Sequence, residues 1–143
     1  MPDDRELYPF EFYVKGTPVS AQTKRPESRH RWVARVREAA EKRVQETVDF
    51  CFLDKRPVGV RIIYFPDAPM DGDVDNIAKP IIDALIRIAY MDDKLIESVQ
   101  VQKQEPGIEW AAEDISEQLA AALDAQRPVV YIRVDDHLGW RRY

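Results

Sequence analysis

The chain has 143 residues, 45% apolar and 33% charged, which excludes a disordered polymer; with no apolar run near the roughly 20 residues of a bilayer span, it also excludes a membrane-embedded one. Its formal charge of −5 argues against a uniformly basic nucleic-acid binder but not against a local one: residues 15–37 carry seven bases against Glu27, and residues 92–124 carry nine acids against Lys94 and Lys103. The acidic, polar start from Met1 to Glu6 does not read as a signal peptide, and Cys51 as the only cysteine excludes an intrachain disulfide and a cysteine-based zinc site, so one cytoplasmic domain over residues 1–143 is expected.

Alternation over residues 10–15 predicts a strand, ended by Gly16, Thr17 and Pro18. Residues 20–30 lack periodicity and contain Pro26, which predicts a basic loop that also holds His30. Trp32, Val36, Ala39, Ala40 and Val44 form an apolar stripe that predicts a helix over residues 31–48. Cys51, between Phe50 and Phe52, is expected to be a buried, inert thiol. Residues 58–65 are β-rich and predict a second strand; residues 66–72 are turn-rich.

Ile77, Ile81, Leu85 and Ile88 predict a helix over residues 76–90, with Asp75 as its N-cap and Pro80 tolerated in the first turns. Its apolar positions exceed one face, which is compatible with a dimer seam. A strand at 95–104, a helix at 113–125 and a strand at 128–134 complete a β-α-β-α-β-α-β order. The fold class is α/β (α+β): a small mixed sheet with helices packed on it.

The densest chemistry is at residues 71–79. Asp71, Asp73 and Asp75 alternate between a predicted strand and a predicted helix. If Asp73 to Asp75 is extended, both side chains face one spot, where carboxylates repel unless a hard cation lies between them. Oxygen donors without nearby His or Cys favour Mg²⁺, or Mn²⁺, over zinc. Lys79 lies one helical turn past Asp75, where an ammonium can stabilise phosphate charge, and Asp83 can orient it through an i,i+4 pair. Asp92 and Asp93 follow the helix, which would carry them roughly 20 Å away at 1.5 Å per residue. They join the site if the next strand runs back, or if they come from a second subunit.

Several rival readings stand beside this one. An acid-rich loop can simply be solvated. A calcium loop of EF-hand type fails, because its sixth position is Asn76 and its twelfth Ile82. The phosphatase pattern Asp-x-Asp-x-Thr fails at Ile77, and no P-loop exists.

The string GDVDNIAKPIIDAL at residues 72–85, YMDD at 90–93 and the β-like stretch 96–102 closely resemble the core of the RusA family of Holliday-junction resolvases, the crossover junction endodeoxyribonucleases. The Gly16 to Ser20 loop and the order of flanking elements agree. The similarity covers residues 10–104, with 105–126 an acidic helical segment beyond that core. The resemblance implies a homodimeric, Mg²⁺-dependent nuclease that cuts four-way DNA junctions in recombination and repair. It implies metal-binding acids at Asp73, Asp75 and Asp93, a functional lysine at Lys79, and accessory roles for Asn76, Asp83 and Asp92. Lys24, Arg25, Arg29, Arg31 and Arg35 are the expected DNA contacts, by charge and shape more than by base reading. The alternatives are a related protein acting on other branched DNA, and a non-catalytic interaction module built on the acidic segment.

Overall fold

The computed structural model describes residues 8–47, 55–70, 72–109 and 111–136. Cys51, Asp71, His137 and residues 138–143 lie outside them, as does the expectation of a buried thiol at Cys51. Strand β1 (Phe10–Lys15) turns Phe10, Phe12 and Val14 inward, as alternation requires. Gly16 ends it at φ +137°, where an added Cβ would lie 2.7 Å from the Arg35 guanidinium and 3.1 Å from the Trp32 ring. Only glycine lets the following helix approach that closely.

Helix α1 (Pro26–Glu46) buries Trp32, Val36 and Ala40, one residue per turn. It starts five residues before the expected position, so Arg29 and His30 are helical rather than in a loop. Pro26 occupies the first helical turn, where its missing N–H costs nothing and its fixed φ suits the helix. Read as a breaker, this proline is a starter.

Strands β2 (Val58–Phe65), β3 (Ile96–Lys103) and β4 (Val129–Asp135) complete a sheet of order β1-β4-β2-β3. β4 is antiparallel to both β1 and β2, with Ile132 opposite Phe12 and Ile62. β3 runs parallel to β2, with Val101 beside Ile62. The mixed sheet thus agrees with the expected class and order.

Helices cover both faces. Val60, Ile62, Val130, Ile132 and Val134 pack with α1 and with α2 (Ala78–Ala84) into the larger core. Ile63, Phe65, Val129 and Tyr131 pack on the other face against Ala122, Leu119 and Leu123 of α3 (Glu117–Asp124). α3 starts at Glu117, four residues later than expected, and is capped by Ser116, whose hydroxyl accepts from the Leu119 N–H at 3.1 Å.

The expected helix over 76–90 is a composite. Val74–Ile77 is a 3₁₀ turn, α2 has only seven residues, and the chain then reverses over residues 85–90. Arg87 adopts φ +67° and its N–H donates to the Tyr90 carbonyl at 2.6 Å. Leu85, Ile88, Ala89 and Tyr90 are buried all the same, so their spacing reports burial against the sheet and not helical continuity. The apolar excess is consumed inside this chain, which removes it as support for a dimer seam.

Candidate active site

The acid motif follows the loop that leaves β2. Gly72, at φ +92°, turns the chain into Asp73. Asp73 is exposed and extended (φ −93°, ψ 134°) at the start of the 3₁₀ turn, and its carbonyl accepts from the Asn76 N–H at 3.2 Å. Asp75 is exposed inside that turn, and its carbonyl accepts from the Ala78 N–H. Two expectations therefore change. Asp75 is not a helix N-cap, since neither the turn nor α2 has a side-chain cap. The stretch from Asp73 to Asp75 is not a continuous extended segment, so strand alternation does not set the facing of the two carboxylates. Local backbone hydrogen bonding wins over the extended form.

Lys79 is in the first turn of α2. Its ammonium lies 2.9 Å from Asp83, the i,i+4 partner expected, and 3.6 Å from Asp93. Asp93 is thus brought back to Lys79 within one chain. The roughly 20 Å displacement does not arise, because α2 is short and residues 85–90 fold back. The reversal is fastened by side chains. Arg37 donates to the Ala84 carbonyl at 3.0 Å, Tyr90 to the Ile82 carbonyl at 2.6 Å, and Tyr8 to the Ala89 carbonyl at 2.9 Å. Arg37 thereby reaches a carbonyl at the C-terminal end of α2, where intrahelical partners run out, while the Ile82 carbonyl accepts from both Tyr90 and the Leu85 N–H. Sequence reasoning missed all three; Arg37 had counted only as part of the basic stretch.

The electrostatics follow from these contacts. The hydrogen bond to Asp83, with Asp93 adding to it, holds the Lys79 ammonium above the usual lysine range. Burial, reinforced by Asp83 and Asp93, pushes the Tyr90 phenol far up and keeps it neutral. Asp92 accepts from the Lys94 N–H at 3.0 Å, which holds its carboxyl below the usual range. Asp92 therefore caps the 3₁₀ turn Asp93–Leu95 that positions Asp93.

The basic stretch lies next to the motif. The Ala21 N–H donates to the Asn76 carbonyl at 2.7 Å, tying the segment before α1 to the acid turn. Lys24, Arg25, Arg31 and Arg35 are exposed and Arg29 is half-buried. Arg35 also donates to the Lys15 carbonyl at 3.2 Å.

Among the described residues, the donor chemistry around the motif suits a hard cation: carboxylates, exposed or half-exposed, without imidazole or thiolate. Among the described residues, no three His, Cys, Asp or Glu side chains are grouped so as to hold a metal ion. Lys79 supplies the positive charge between Asp83 and Asp93.

The family model described as endodeoxyribonuclease RusA matches residues 11–113. The chain belongs to the RusA family. The match spans β1 through β3 and runs into the start of the acidic segment that had been expected to lie beyond the core. RusA membership associates this chain, at family level, with nuclease action on branched DNA, and RusA proteins are generally metal-dependent. No curated protein matches the chain. No described helix is long and apolar enough to cross a membrane.

Proposed function

We propose that this RusA-family protein is a Mg²⁺-dependent endonuclease that resolves four-way DNA junctions by phosphodiester hydrolysis, as a homodimer in the cytoplasm. One observation carries the reading. Lys79, one turn past the Asp73–Asp75 motif, pairs with Asp93, which is brought in from beyond α2. A cation held between two carboxylates is an arrangement suited to phosphate chemistry.

In this reading Asp73, Asp75 and Asp93 are the Mg²⁺ ligands, with Mn²⁺ a substitute. When bound, the ion supplies charge neutralisation at the scissile phosphate and a more acidic water. Lys79 stabilises negative charge on the phosphate oxygens as the attacking water adds, while Asp83 orients Lys79 and Asp92 holds the turn bearing Asp93. Asn76 ties the site to the basic segment through its carbonyl. Lys24, Arg25, Arg29, Arg31 and Arg35 follow the phosphate backbone of the junction arms. A two-fold dimer suits a substrate in which two opposed strands are cut.

A synthetic four-way junction incubated with Mg²⁺ tests this. The wild type is expected to cleave it in paired nicks, and Asp73→Asn to lower the rate by about 100-fold or more, as several kcal/mol of metal catalysis at 1.36 kcal/mol per decade require. Cleavage of linear duplex at the same rate as the junction would overturn the resolvase assignment. Metal-independent cutting by both proteins would overturn the role of the acids.

A further inference from the structure

The loop between β2 and the acid motif is fastened at its entry by Arg127, just before β4, and at its exit by Glu105, just beyond β3. At its entry, Arg127 Nη1 donates to the Pro66 carbonyl at 3.2 Å and to the Gln104 carbonyl at 2.7 Å. Its guanidinium carbon lies 5.5 Å from the centre of the Phe65 ring. The Gln104 N–H donates to the Tyr64 carbonyl at 2.9 Å, so the β2–β3 pairing continues one residue past β3. At the loop's exit, the Glu105 carboxylate accepts from the Met70 N–H at 2.6 Å. Lys103 Nζ, 3.2 Å from the same oxygen, keeps that carboxylate in place. The Glu105 side chain is only 20% exposed. Charge-assisted bonds of this length are the stronger kind, and here one holds the backbone three residues before Asp73.

We infer that Glu105, with Arg127, is a positioning pair that holds the 66–70 loop on the sheet and so sets where the Asp73 turn begins. The Met70 amide and Lys103 hold the Glu105 carboxyl below the usual glutamate range, so the acceptor is ionised at neutral pH. Glu105 lies outside the motif that marks the catalytic acids, and its contribution is mechanical: a small displacement of a ligand-bearing loop can cost a large factor in rate. The kinetic part of the inference rests on the nuclease reading above; the structural part does not.

The test compares the full chain with Glu105→Ala and Glu105→Gln. Hydrogen exchange of the Met70 amide by NMR is expected to accelerate about tenfold in Glu105→Ala, the size of one lost charge-assisted bond. Junction cleavage is expected to lose about tenfold or more in kcat, with KM within about twofold and the melting temperature within a few degrees. Glu105→Gln, whose amide oxygen can accept the same N–H, is expected to recover kcat to within about threefold of wild type. If Glu105→Ala does not fold, Glu105→Asp, one methylene shorter, carries the same comparison. Unchanged Met70 exchange in the Ala variant overturns the clamp. Faster exchange with wild-type kcat, or equal kcat losses in the Ala and Gln variants, overturns the positioning role. A wild type that cuts no junction sinks the nuclease reading alone, and the clamp is then decided by the exchange measurement.

Discussion

Lys79 touches Asp83 on its own helix and Asp93 from beyond the reversal, with its side chain 60% exposed. Ion pairs this open to solvent add little to stability, so the pairing is better explained by a need for a fixed cation than by folding. Its raised pKa has a definite consequence. The small stabilisation from the charged form is fully present below the unfolded lysine value and is lost only as pH rises through the higher folded value. In metal-free buffer, no loss of stability between neutral pH and about pH 10, the usual lysine value, should therefore trace to Lys79, as read by thermal unfolding. Lys79→Ala is expected to lower the cleavage rate by about 100-fold while moving the melting temperature by no more than about 2 °C, read by single-turnover kinetics and thermal unfolding. A large loss of stability with a small loss of rate would reverse the assignment. The residue types and spacing of Asp73, Asp75, Lys79, Asp83 and Asp93 were legible in the sequence. That Asp92 caps a turn while Asp93 meets Lys79 was not, because adjacent acids look alike until the backbone is folded.

The segment from Val74 to Tyr90 joins a 3₁₀ turn, a seven-residue helix and a reversal, and Arg37 and Tyr8 fasten it from elsewhere in the chain. Tyr90 is fully buried, and its hydroxyl donates to Ile82 at the end of α2. Tyr90→Phe removes that donor but keeps the ring, so a loss of about 1 kcal/mol is expected in urea unfolding at unchanged m-value. Cleavage should slow as well, by less than for Asp73→Asn, since the turn delivering Asp93 loosens without losing a ligand. A neutral result in both measurements would show that the hydroxyl does not hold the reversal. The same segment shows where periodicity misleads. Ile77, Ile81, Leu85 and Ile88 repeat at helical spacing, yet only the middle of the run is helical. Apolar spacing records which positions meet the sheet, and a chain that turns over the sheet can meet it at the same positions. Pro26 shows the converse case, where a residue that breaks a helix inside begins one at its edge.

The uneven charge gives a chain of −5 a basic segment hydrogen-bonded to its acid turn through Ala21 and Asn76. Electrostatic binding to DNA then depends on a few side chains and not on the net charge. Junction binding measured in EDTA should weaken with salt, and Arg29→Ala/Arg31→Ala should reduce the slope of log K against log salt by about 2, roughly 0.9 for each phosphate that is no longer neutralised. An unchanged slope would move the DNA path off α1. By itself the sequence determined the strands, the class of fold, the family and the acids with their lysine. These depend on alternation, local spacing and residue chemistry, which neighbours along the chain express. Only the tertiary structure decided that the predicted central helix breaks and that Asp93 returns to Lys79. It alone showed that Arg37, Tyr90 and Glu105 fasten the segments bearing the acids. Those outcomes depend on hydrogen bonds and packing between residues distant in sequence, and no local pattern encodes which donor reaches which carbonyl.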